Sequence, residues 1–101
     1  MINLGLNIIL SSVFLQIKAL GFNPSAIYSK VLNEMKFNIL VTIPEKEFID
    51  DKVFSVYECL SKIEDEFKLD NFFLNFSLCS TNDGFNEKNI LNEGYGKLYI
   101  K

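Results

Sequence analysis

Leu6, Ile9, Leu10, Val13, Ile17 and Leu20 recur at steps of three and four, the spacing of one helix face. Lys18 in the last turn, Gly21 just past it, apolar Phe22 and then Pro24 form a helix-stop signature, which predicts a helix over residues 12–20. Ile2, Leu4, Leu6, Ile8 and Leu10 also alternate at period two, so residues 2–10 stay open between helix and strand. Asn23 as N-cap, Pro24 at the first helical position, and Ile27, Val31 and Met35 along one face predict a second helix over 24–35. At Lys36 the period changes to two. Phe37, Ile39, Val41 and Ile43 take one side, Asn38, Leu40 and Thr42 the other, and Pro44 ends the predicted strand.

Past a cap at Asp50 or Asp51, Val53, Val56, Tyr57, Leu60, Ile63 and Phe67 make the clearest apolar stripe in the chain. Its opposite face carries Glu58 before Lys62 and Glu64 before Lys68, pairs worth about 0.2 to 0.5 kcal/mol each, and reads as solvated. Phe72, Leu74, Phe76 and Leu78 alternate with Phe73, Asn75, Ser77 and Cys79, a second strand closed by the turn residues Asn82, Asp83 and Gly84. A helical turn around Glu87–Leu91 and a last strand at Leu98 and Ile100 follow, its outward lysines marking an edge. The expected fold is α+β: one or two N-terminal helical segments, then a β-α-β-β unit, with the main helix packed on one face of a small sheet. A parallel pair of strands joined by a right-handed crossover is expected over 36–80. One domain spans residues 1–101, and no repeat or linker interrupts it.

Composition changes the picture by removing chemistries. With no His, no Trp and two Cys among 101 residues, the Ser-His and Cys-His pairs, disulfide scaffolds and most metal sites lack their parts. No catalysis, no cofactor and no metal are expected. All ten basic residues are Lys, and there are eleven Asn and eleven Ile against two Ala and two Pro. Lys, Asn, Ile and Phe come from AT-rich codons, which points to a low-GC bacterium, its phage or a mobile element rather than to a function for each Asn. The net charge of −3 and the missing Arg disfavour nucleic acid as a partner. The uncharged opening Met1–Ile17 is broken by Asn3, Asn7, Ser11, Ser12 and Gln16 and lacks leading positive charge, so neither a membrane span nor a signal peptide is expected. Two scattered cysteines agree with a reducing cytoplasm.

Local chemistry is sparse. The Glu66-Phe67-Lys68 triplet lies at a helix end rather than on a sheet, so it does not read as a nuclease step, and Asp83–Glu87 lacks calcium-loop spacing. Cys59 and Cys79 have no activating base and read as structural thiols. Glu64, Asp65, Glu66 and Asp70 crowd the C-terminal end of the main helix, where the macrodipole makes each negative charge unfavourable by about 0.3 to 1 kcal/mol. They are the candidate partner-binding residues, an acidic patch for a protein with a basic surface. Ten Phe and four Tyr supply either an aromatic core or an apolar interface.

Gly21-Phe-Asn-Pro-Ser-Ala-Ile-Tyr28 resembles the turn and second-helix start of bacterial helix-turn-helix regulators, especially the tetracycline-repressor type. The resemblance implies a DNA-binding corner with Lys30 and Lys36 on phosphate; it departs from the motif at Lys30, where an apolar residue is expected. The leading expectation is therefore a small acidic cytoplasmic protein-binding module, regulatory or inhibitory, of the anti-defence or antitoxin kind. The alternatives are a helix-turn-helix regulator and a structural subunit of a homo-oligomer, with a homodimer allowed by the aromatic surplus.

Overall fold

The structure, a computed structural model, describes residues 2–82 and 84–98. Helix α1 (Ile2–Ala19) is followed by strands β1 (Ala26–Asn33) and β2 (Lys36–Pro44), a short α2 (Glu45–Phe48), a 3₁₀ turn (Asp51–Val53) and the main helix α3 (Phe54–Lys68). Strand β3 (Phe73–Thr81), helix α4 (Glu87–Asn92) and the short β4 (Gly96–Lys97) complete it. The sheet order is β3-β2-β1-β4, with β2 and β3 parallel and the other two pairs antiparallel. This is an α+β fold with helices on the sheet, as the patterning indicates.

Helix is the outcome over residues 2–10, and the burial says why. Leu6, Leu10, Val13 and Ile17 are buried at helical spacing, whereas Ile8, which a strand would have placed with Leu6 and Leu10, is 66% exposed. Val53, Val56, Leu60 and Ile63 form the buried stripe that leads into and along α3, while Tyr57 of the expected stripe stays at the surface. Both helices pack on one sheet face made by Ile27, Phe37, Ile39, Val41, Ile43 and Leu74. Each such side chain fully buried contributes about 1.5 to 3 kcal/mol of transfer free energy. The opposite face has a smaller cluster, in which Ile90, Phe85 and Tyr95 cover Ala26, Tyr28 and Leu40.

The second helix expected over 24–35 is corrected: residues 26–33 are strand β1. The apolar residues there satisfy both periods, since Ile27 enters the helical core while Ala26 and Tyr28 enter the opposite cluster. Strand β2 decides between them. It buries Phe37, Ile39, Val41 and Ile43 on one face and Thr42 on the other, so it must be a central strand with a neighbour on each side. Strand β3 supplies one neighbour, and the segment just before β2 supplies the other through a two-residue turn at Glu34 and Met35. The Asn33 side chain accepts the Met35 amide proton at 2.9 Å and holds that turn. Asn23, expected to cap the missing helix, instead donates its backbone and side-chain N–H groups to the two carboxylate oxygens of Glu47, at 2.8 and 2.7 Å. Without a second helix, the corner at Gly21–Tyr28 lacks the recognition helix of the regulators it resembles.

Three helices end in the same way. After α1, Gly21 (φ 95°) donates to Lys18 O and Phe22 to Ile17 O; after α3, Asn71 (φ 58°) donates to Lys68 O and Phe72 to Phe67 O; after α4, Gly94 (φ 101°) donates to Leu91 O and Tyr95 to Ile90 O. Each is a Schellman ending with a left-handed residue followed by an apolar one that packs back on its helix. At α3 that contact is ring on ring, Phe67 to Phe72 at 5.8 Å. The last strand begins earlier than expected, at Gly96, and Leu98 donates to Ile27 O at 2.8 Å; Tyr99–Lys101 lie outside the described residues.

Candidate functional site

The acidic residues at the end of α3 do not form one patch. Successive residues on a helix turn by about 100°, so Glu64, Asp65 and Glu66 leave it in three directions. Glu64 is half-buried and its Oε2 accepts the backbone N–H of Phe76 at 2.7 Å, on the side of β3 that has no neighbouring strand. It therefore serves the sheet edge rather than pairing with Lys68. Asp65 borders a shallow surface with Phe54, Tyr57, Glu58, Ser61 and Lys62. Asp50 caps the 3₁₀ turn before α3 through the Lys52 amide at 2.8 Å.

Glu66 and Asp70 are brought together with an apolar surface. Between α1 and α3 lies a depression of about 270 Å³ lined by Ile8, Ile9, Val13, Ile63 and Phe67 together with the polar Ser12, Gln16 and Glu66. A second, of about 260 Å³, is lined by Ile9, Met35, Phe67, Phe72 and Asp70. They share Ile9 and Phe67 and adjoin as a groove whose apolar side chains are bordered by Ser12, Gln16, Glu66 and Asp70. Met35 stands on the β1–β2 turn, and its carbonyl accepts the Phe73 N–H at 2.7 Å, which ties that turn to the start of β3. Sequence reasoning missed this groove because its walls come from α1, the hairpin turn and α3. The usable signal was the apolar surplus at Ile8, Ile9 and Met35 beyond the buried stripe.

Lys30 and Lys36 lie on the opposite face of the sheet, on β1 and β2, each with its Nζ over an aromatic ring: Lys30 over Tyr95 at 5.9 Å and Lys36 over Phe73 at 5.8 Å. Cys59 and Cys79 are free and half-buried. Burial pushes the Cys59 thiol up from its ordinary pKa, with Lys62 opposing in part, a shift that disfavours the thiolate. Tyr28 is pushed up as well, by burial first and then by Glu87, with Lys97 acting in the other direction. Among the described residues no three Cys, Asp or Glu side chains converge as a metal site, and no helix is long and apolar enough to cross a membrane.

No family model, no curated protein and no solved structure matches this chain.

Proposed function

We propose that the protein is a non-enzymatic binding module, regulatory or inhibitory, that takes an apolar segment with basic flanks from a partner protein into the groove between α1 and α3. The observation that supports this reading is the groove itself: Ile8, Ile9, Met35, Phe67 and Phe72 expose apolar surface beside Glu66 and Asp70. Apolar contact provides affinity, while the carboxylates select the sign of the partner and speed its approach. The two unpaired thiols favour a reducing cytoplasm as the place of action.

The test is capture from the native host followed by mass spectrometry, run in parallel with wild type, with Glu66→Gln plus Asp70→Asn, and with Ile8→Ser. These residues lie at the surface or rim, so the fold should persist. The double carboxylate variant should associate about tenfold more slowly and lose most of its salt dependence. The Ile8 variant should dissociate faster at unchanged salt dependence. A partner that binds all three proteins equally would refute the groove as its site.

A further inference from the structure

Strands β1, β2 and β3 carry two charges between them, Lys30 and Lys36, both positive. Nine of the thirteen acids lie instead between Glu45 and Asp70, in α2, the 3₁₀ turn, α3 and its exit. With Lys46, Lys52, Lys62 and Lys68 counted in that segment it carries −5, and the rest of the chain, six Lys against four acids, carries +2. On the sheet face away from α1 and α3 the strands themselves present Lys30 and Lys36, while Glu87 and Glu93 belong to the α4 segment that covers the other half of that face.

The strand register arranges that face in rows. Lys30 pairs with Asn38 and Asn38 with Asn75, placing a lysine and two amides in line across three strands. Lys36 pairs with Phe73 in the next row, and Leu40 with Ser77 in the row on the other side. Helix α4 and its flanks cover Ala26, Tyr28 and Leu40, whereas Lys36, Asn75 and Ser77 are exposed and Phe73 is half-exposed. Asn75 donates to Asn38 at 3.4 Å, a long bond that a better acceptor can replace. Lys30 and Lys36 stand near each other on adjacent strands, on either side of the irregularity in β1 between Val31 and Asn33, and each amine lies over its own ring, Tyr95 or Phe73.

We propose that the uncovered β2–β3 half of this sheet face binds single-stranded nucleic acid. Phosphates take Lys30 and Lys36, which release the rings they now cover; a base stacks on Phe73, and the Asn38 and Asn75 amides meet base edges. Stacking on an aromatic with lysines beside it is tolerant of sequence, so the expected ligand class is any unpaired strand rather than a duplex operator. This surface is on the other face of the sheet from the groove, meeting it only where Met35 and Phe72 adjoin Lys36 and Phe73, and the two proposals are tested by different residues.

The experiment is fluorescence anisotropy of the full chain with labelled 12-nucleotide oligo-dT and oligo-U, titrated from low to physiological salt. Binding should weaken with salt at a logarithmic slope of about −1.4, the value for two phosphate contacts on a single strand. Lys30→Gln plus Lys36→Gln should bring the slope close to zero, and Phe73→Leu should weaken binding about five- to hundred-fold. The exposed Asn75→Ala offers a second readout that does not disturb packing and should weaken binding severalfold, while Lys62→Gln on α3 should change nothing. Absence of binding at low salt would overturn the proposal. So would equal displacement by polyphosphate with no dependence on Phe73 or Asn75, which would mean a general polyanion surface, or a preference for anionic lipid vesicles.

Discussion

Glu64 has a candidate partner one turn along its own helix, Lys68, and the fold gives it a different one. Its carboxylate takes the Phe76 amide proton on the unpaired side of β3. A nine-residue edge strand with no charge and no proline is a template for pairing with other chains, and Glu64 occupies its middle. A hydrogen bond to a charged group contributes about 1.5 to 3 kcal/mol, less where water reaches the carboxylate. Glu64→Ala should therefore cost about 1 kcal/mol in urea melts and raise self-association measured by light scattering, whereas Asp65→Ala should do neither. Equal behaviour of the two variants would show that the edge is protected by something else. Asn71 is a second residue whose role is conformational: in the left-handed region it ends α3, and Gly21 and Gly94 do the same for α1 and α4.

At the scale of elements, α3 is held by side chains that repeat at helical spacing and meet the sheet. Leu60, 4% exposed, is central to that contact, with Val56 and Ile63 a turn away on either side. Leu60→Ala should destabilise the protein by about 2 to 5 kcal/mol in urea or thermal melts, through lost burial and the cavity left behind. A loss within experimental error would mean that α1 can settle into the space. Strand β1 shows the limit of the same reasoning. Ile27 and Val31 fit a helical face, but the alternate residues Ala26 and Tyr28 are buried too, and only a strand sends neighbours to opposite sides. Intrinsic patterning was balanced there, and the need of β2 for a second pairing partner broke the balance.

For the molecule as a whole, the smaller core is sensitive to alkali. Tyr28 is 1% exposed beneath α4, and burial with Glu87 nearby raises its phenol above the ordinary value of 10.0. Between that value and the folded one, the unfolded chain releases the proton and the folded chain keeps it. The unfolded state gains, so stability should fall as pH rises above about 10 and be indifferent to this group below about 9. Tyr28→Phe removes the titration, and its urea midpoint should decline less steeply from pH 9 to 11 than that of the wild type. Parallel curves would show that Tyr28 ionises equally in both states. The charge of the whole molecule is unevenly spread as well: residues 45–70 carry nine acids against four lysines, and the rest of the chain four acids against six lysines.

The sequence by itself determined the ending of α1, the period of β2 and β3, the buried stripe of α3 and the absence of His chemistry, because each depends on composition or on residues within a turn or two of one another. It also indicated the parallel pairing of β2 with β3, through the length of the helix between them. Only the tertiary structure decided that residues 26–33 are a strand, that Glu64 serves the edge of β3, and that Glu66 and Asp70 border a groove with Ile9 and Met35. It alone put Lys30, Asn38 and Asn75 in one row. These relations join residues from 8 to 61 positions apart, and a contact at that separation depends on which strands become neighbours, a choice made by burial of the whole core rather than by any local period.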